Sequence, residues 1–211
     1  MTISIQPYLE QLPHWPQSGC HILAQFDEES IIVYQAYRPS IARFAVEHQQ
    51  FGGEFSYSRM SWIKPNFLWM MFRSGWAAKE GQEHILAVRL QRRFFDEVLA
   101  SAVASTFAAS GLSTHEDWQS AVAKSDVRLQ WDPDHDPLGH CVERRAVQLG
   151  LRGEMLRHYG QDALLGIEDI TSFVIEQRDH LSNGFTNLQT PTERVYQPST
   201  AETRLVAGID T

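Results

Sequence analysis

Basic and aromatic side chains crowd two stretches of this chain, residues 34–76 and 143–154, and together they have the chemistry of an anion grip. The first stretch holds Tyr34, Tyr37, Arg38, Tyr57, Arg59, Trp62, Lys64, Trp69, Arg73 and Trp76, with Ser56 and Ser58 between them. Guanidinium forks take phosphate bidentately, and ring faces stack on bases or on a nicotinamide. The second stretch is RRAVQLGLRGE, 144–154. Read as a strand, it puts Arg145, Val147, Leu149 and Leu151 on one face and Arg144, Ala146, Gln148 and Gly150 on the other. Gln148 is a polar group midway along an apolar run, which calls for a hydrogen-bond partner. Arg152 and Glu154 flank Gly153 at a strand-to-helix turn, where working residues are common. The competing reading is plainer: aromatics fill a core, arginines are solvated at strand ends, and Arg152 pairs with a glutamate.

A third cluster, DPDHDPLGHCVE (132–143), sets Asp132, Asp134, Asp136 and Glu143 at calcium-loop positions 1, 3, 5 and 12. Position six requires glycine and is Pro137, so the segment reads as a turn-rich acidic loop. His135, His140 and Cys141 match no transition-metal spacing, and no metal is expected. Phosphate-loop, dinucleotide-binding, HExxH and GxSxG motifs are absent from the sequence. That disfavours P-loop NTPases, kinases, Rossmann dehydrogenases and α/β hydrolases.

The elements that must position these residues follow from periodicity. IIVYQAYR (31–38) is a buried strand; Pro39 opens a helix with Ile41, Phe44, Ala45 and His48 on one face, stopped by Gly52-Gly53. EFSYSRMSW (54–62) reads as a second strand, and Pro65-Asn66 opens a short apolar helix closed by Gly75. Further strands are expected at 84–90, 127–131, 144–151 and 164–170. Helices are expected over 93–108, from a capping box at Ser113–Glu116 through Val122, and over 153–158. Irregular alternation predicts an α+β fold: one domain with a central mixed or antiparallel sheet of about six strands flanked by helices. Residues 1–20, interrupted by Pro7, Pro13 and Pro16, form an extended lead-in; 21–178 form the domain; 179–211 form a polar tail packed on it or partly disordered.

At 211 residues with 43% apolar content the chain can build one sizeable core, and its net charge of −8 argues against broad nucleic-acid binding. A local basic cleft for a nucleotide or other small anion fits better, with a nucleic-acid acceptor still possible. No apolar run is long enough to span a membrane, and the first residues lack a secretory signal, so a cytoplasmic protein with two reduced cysteines, Cys20 and Cys141, is expected.

The strings VYQAYRPSIARFAVEHQQFGG, SYSRMSWIKPNFLWMMFRSGWA, KEGQEHILAVRL, VRLQWDPDHD, RRAVQLGLRGE and IEDIT resemble, in order, a domain-of-unknown-function family numbered 4291, over about residues 22–177. A second resemblance rests on element order. A strand ending in Arg, a helix closed by Gly, a Ser-x-Ser strand, an aromatic helix and an ILAVRL-like strand are similar to the front half of an ADP-ribosyltransferase. That resemblance implies a split sheet and NAD as substrate. It gives Arg38 the NAD phosphates, Ser56 and Ser58 the nicotinamide pocket, and a late-strand Glu the ribose hydroxyl. The Glu-x-Glu motif is absent, and Glu143, Gln148 and Glu154 compete for the last role. Without a carboxylate beside the anomeric carbon, transfer loses its main electrostatic support while binding survives. With Tyr34, Tyr37, Tyr57, Arg59, Trp62, Lys64, Arg145 and Arg152 as further ligand contacts, three readings stand. They are an NAD-dependent ADP-ribosyltransferase-like enzyme, a non-catalytic nucleotide or single-stranded RNA binding module, and a metal-dependent hydrolase or nuclease.

Overall fold

A strand that is apolar at every position must be covered on both faces, and that demand organises the fold. In a computed structural model describing residues 3–210, the run Ser30–Tyr37 (β1) is buried at all positions but Ala36. It pairs antiparallel with His84–Gln91 (β3), which pairs on its other side with Leu164–Asp169 (β6). Ile31, Val33, Leu86, Val88 and Leu90 belong to one apolar cluster, with Phe94, Phe95 and Tyr159. Ile32, Tyr34, Ile85 and Ala87 belong to another, with Phe67, Met71 and Trp76. The three-stranded sheet is therefore a layer between two cores.

A second, five-stranded sheet is built on the hairpin of Val127–His135 (β4) and Cys141–Leu151 (β5). Ala102–Ala104 runs parallel to β4 on one edge. On the other edge β5 takes Gly19–Cys20 in parallel at Arg144–Arg145 and Ser61–Ile63 (β2) antiparallel at Leu149–Leu151. The next residue, Lys64, leaves β5 and bridges to Tyr34 of β1. Residues 61–64 thus stitch the two sheets together.

The architecture is α+β, with the strands distributed over two main sheets rather than one central sheet. Helices Pro39–His48 (α1), Phe67–Ser74 (α2), Arg92–Ala100 (α3), His115–Lys124 (α4), Gly153–Gln161 (α5) and Thr171–Asp179 (α6) surround them. Asn66 caps α2 by accepting from Trp69 N at 2.7 Å, and Gly75 closes it with φ 57°.

Several elements depart from the sequence expectations. Residues 54–60 are turns and irregular backbone, so the strand expected over 54–62 shrinks to Ser61–Ile63. The Ser-x-Ser strand behind the ADP-ribosyltransferase comparison is not formed. The helix expected over 93–108 ends at Ala100, because residues 102–104 complete the edge of the second sheet instead. Thr114 rather than Ser113 caps α4, accepting from Asp117 N. Helix α1 stops at Gln49, which takes the left-handed conformation (φ 53°). Its amide explains why: Nε2 donates to Ile167 O at 2.9 Å and Oε1 accepts from Ile167 N at 2.8 Å, as a further strand residue on β6 would.

Segments near both ends of the described residues pair within the fold. Ile5–Pro7 pairs with Gln189–Pro191, and Ile22–Ala24 pairs with Arg194–Tyr196. Residues 1 and 2 of the expected lead-in and residue 211 of the tail lie outside the described residues. Among those described, no helix is long and apolar enough to cross a membrane, and both cysteines are free.

Candidate functional site

Where β2 passes from one sheet to the other, side chains from four elements meet around a cavity of about 360 Å³. β1 contributes Gln35 and Tyr37, the turn before β2 contributes Ser56, Arg59 and Met60, the β2 segment contributes Ser61, Trp62 and Lys64, and α2 contributes Met70 and Arg73. A second depression of about 560 Å³ shares Ala36, Tyr37, Arg59 and Gln82 with it and carries Arg38. The cleft is therefore continuous from Arg38 to Lys64.

Glu80 and Glu83 line its Arg38 end, while the Lys64 end holds cations without an ion pair among the described residues. Among the described residues no ion pair involves Arg59, Lys64 or Arg73, and Arg38 reaches only an exposed contact with Glu54 at 3.5 Å. Lys64 is 6% exposed. Burial, followed by the Arg73 guanidinium, pulls its pKa down to about 8 against an opposing pull from Asp132. Asp132 itself accepts from Gln148 Nε2 at 2.6 Å and Gln130 Nε2 at 2.7 Å. Gln148 thus finds the partner its place in the strand demands, and is not among the residues lining the cleft.

The floor is held by a chain of hydrogen bonds. Tyr159 Oη donates to Gln35 Oε1 at 2.6 Å, Gln35 Nε2 donates to Ser61 Oγ at 2.9 Å, and Ser61 Oγ meets Tyr37 Oη at 3.1 Å. Burial pushes the Tyr37 phenol well above its ordinary range, so it stays protonated. On the wall, the Trp62 ring lies over Gly150: a Cβ there would fall 3.0 Å from the ring and 2.6 Å from Met60 Sδ. The glycine lets the indole lie flat against β5.

The family described as Domain of unknown function (DUF4291) matches residues 21–196, well over half of the chain. The chain belongs to that family. No curated protein matches it. The matched span runs through Tyr196, so it takes in the pairing of Ile22–Ala24 with Arg194–Tyr196 as well as every cleft residue of the DUF4291 chain.

Of the residues singled out from sequence, Tyr37, Arg38, Ser56, Arg59, Trp62 and Lys64 converge on the cleft. The others lie elsewhere. Tyr34 is fully buried against Phe67 with its hydroxyl unpartnered among the described residues. Tyr57 turns toward α5, donating to Phe51 O at 2.8 Å, and Ser58 bonds Ser56. Arg145 is exposed at the edge shared with Cys20. Arg152 caps α4, donating to Val122 O, Ala123 O and Ser125 O. Glu143 is exposed on β5, and Glu154 is exposed beside Arg157 at 3.3 Å, lining a separate depression. In the acidic hairpin Asp134 is buried against Arg144 at 2.6 Å, and Asp136 caps the turn through Leu138 N and His140 N.

Sequence reasoning passed over Gln35, Ser61 and Gln82, placed Arg73 in the basic stretch without naming it a ligand contact, and read Asp132 only as part of the acidic loop. Gln35 carried the same signal as Gln148, a lone amide in an apolar strand. Asp132 carried a weaker one: it and Gln148 sit two registers apart on facing strands and share a sheet face.

Proposed function

We propose that the DUF4291 chain binds a small phosphorylated ligand of nucleotide type, with the phosphate on Arg59, Arg73 and Lys64 and the ring against Trp62 and Tyr37. The observation that carries this reading is the meeting of four cations and two aromatic rings in one cleft where Arg59, Lys64 and Arg73 make no ion pair among the described residues. Lys64 is buried and the three arginines are exposed around it, so the charge left out of water is that of Lys64, and an anion held by the arginines would offset it. The cavity is of the size small-molecule sites have.

NAD is one ligand with this chemistry, and ADP-ribosyl transfer would need a carboxylate at the ribose. Glu143 and Glu154, the acids offered for that role, line other surfaces; the carboxylates at the cleft are Glu80 and Glu83, at its Arg38 end. Titrating AMP, NAD and inorganic phosphate against tryptophan fluorescence tests the reading. AMP is expected to quench, with binding weaker at higher salt. Arg73→Ala or Arg59→Ala should weaken it about tenfold, the loss of one charge-assisted contact of about 1.5 kcal/mol. Flat fluorescence and no heat of binding for all three ligands would refute it. Free nicotinamide released from NAD would instead establish the transferase reading.

A further inference from the structure

We infer that Lys64 is a nucleophilic amine that condenses with an aldehyde or ketone carried by the cleft's phosphorylated ligand, an inference that rests on the anion-binding reading above. The chain has three lysines, Lys64, Lys79 and Lys124, against 18 − 3 = 15 arginines. An arginine at position 64 would serve phosphate binding alone, being the better phosphate fork and permanently charged. A lysine adds one ability, the loss of its proton.

The placement suits that ability. Lys64 is 6% exposed, while Lys79 and Lys124 are exposed. Its backbone is pinned, because Lys64 O accepts from Tyr34 N at 2.6 Å, Ile63 pairs with Leu149, and Pro65 follows. Its ammonium has no hydrogen-bonded acid among the described residues, and Asp132 is already engaged by two amide donors. The charged and titratable groups around it are Arg73 from α2, Arg59 from the turn, Asp132 from β4 and Tyr37 from β1. Desolvation and a neighbouring cation are the two devices that activate lysine nucleophiles. With a pKa of about 8, about a tenth of the amine is neutral at pH 7, against fewer than one in a thousand for a solvated lysine.

In the reaction the neutral Nζ lone pair adds to the carbonyl carbon, making a C–N bond and a carbinolamine. A proton moves from nitrogen to oxygen to complete the carbinolamine, a second proton from solvent protonates its hydroxyl, the C–O bond breaks, and water leaves. The product is an imine, protonated at Nζ and neutralised by the phosphate held on Arg59 and Arg73. No oxidant or reductant enters.

Pyridoxal 5′-phosphate is the probe, trapped with borohydride on the unmodified chain and mapped by peptide mass. Lys64 is expected to be labelled at least tenfold faster than Lys79 and Lys124, with a half-maximal rate near pH 8. AMP should protect it, and Arg73→Ala should slow the phosphorylated probe more than pyridoxal. If AMP quenches Trp62 but Lys64 is labelled no faster than the surface lysines, the amine chemistry is wrong and the cleft reading stands. If pyridoxal and its phosphate label Lys64 equally and AMP neither quenches nor protects, the phosphorylated substrate and the cleft reading fall together. Lys64→Arg, which removes the amine, should lose all label at position 64.

Discussion

Burial does most to lower the pKa of the Lys64 amine, and a guanidinium and a carboxylate nearby then shift it from either side. Asp132 raises the amine's pKa and Arg73 lowers it. Asp132→Asn is therefore expected to move the half-point of Lys64 modification below pH 8, and Arg73→Gln to move it above. Labelling rates measured from pH 6 to 10 check both; an unmoved half-point in both variants would show that burial alone sets the value. At this scale the sequence was informative about residue type and silent about side-chain direction. Tyr37 and Tyr34 looked equivalent, yet they differ in parity on β1. Tyr37 faces the cleft beside Ser61, and Tyr34 faces the opposite core beside Phe67. Parity assigns a face only once the two layers covering the strand are known, and no local pattern states them.

The elements that carry the cleft are short and depend on their ends. Removing the cap in Asn66→Ala is expected to cost about 1 kcal/mol, read as a lower thermal midpoint, and to loosen Arg73 at the other end of α2. Gly150→Ala puts a carbon 2.6 Å from Met60 Sδ and 3.0 Å from the Trp62 ring. The ring must move off β5, so the AMP-induced quench should shrink while the fold persists; an unaltered quench would take Trp62 out of the ligand's path. Long, strongly patterned strands and helices were legible in the sequence, β1, α1, α2, β3 and β5 among them. Residues 54–60 were not, because alternating Phe55, Tyr57 and Arg59 mimic a strand while no neighbouring strand offers them a partner. Residues 102–104 failed the other way: helix-compatible alanine and valine were drawn into the parallel edge of the second sheet.

Across the whole molecule, the clearest pH dependence comes from Glu193. It is 4% exposed and accepts from Phe67 N at 2.7 Å, and burial holds its pKa well above 4.5, with Asp134 adding to the rise and Arg144 opposing it. The folded chain therefore keeps a proton that the unfolded chain releases above pH 4.5. Stability from this group is full below 4.5 and falls as pH climbs toward the folded value, by up to about 1.4 kcal/mol per pH unit. Glu193→Gln, an uncharged analogue, should flatten that fall and raise the thermal midpoint at pH 8 relative to the parent; a parent midpoint that rises from pH 5 to 8 would contradict it. Glu193 sits in the seam that joins the chain's two ends, where Gln11 Oε1 accepts from Glu193 N and Trp15 Nε1 donates to Glu193 O. That seam makes distant segments depend on one another. The strands Ile5–Pro7 and Ile22–Ala24 find their partners only at 189–191 and 194–196. A nick anywhere between them cannot free one half without unzipping both pairings, so the seam works as a clasp on everything threaded through it.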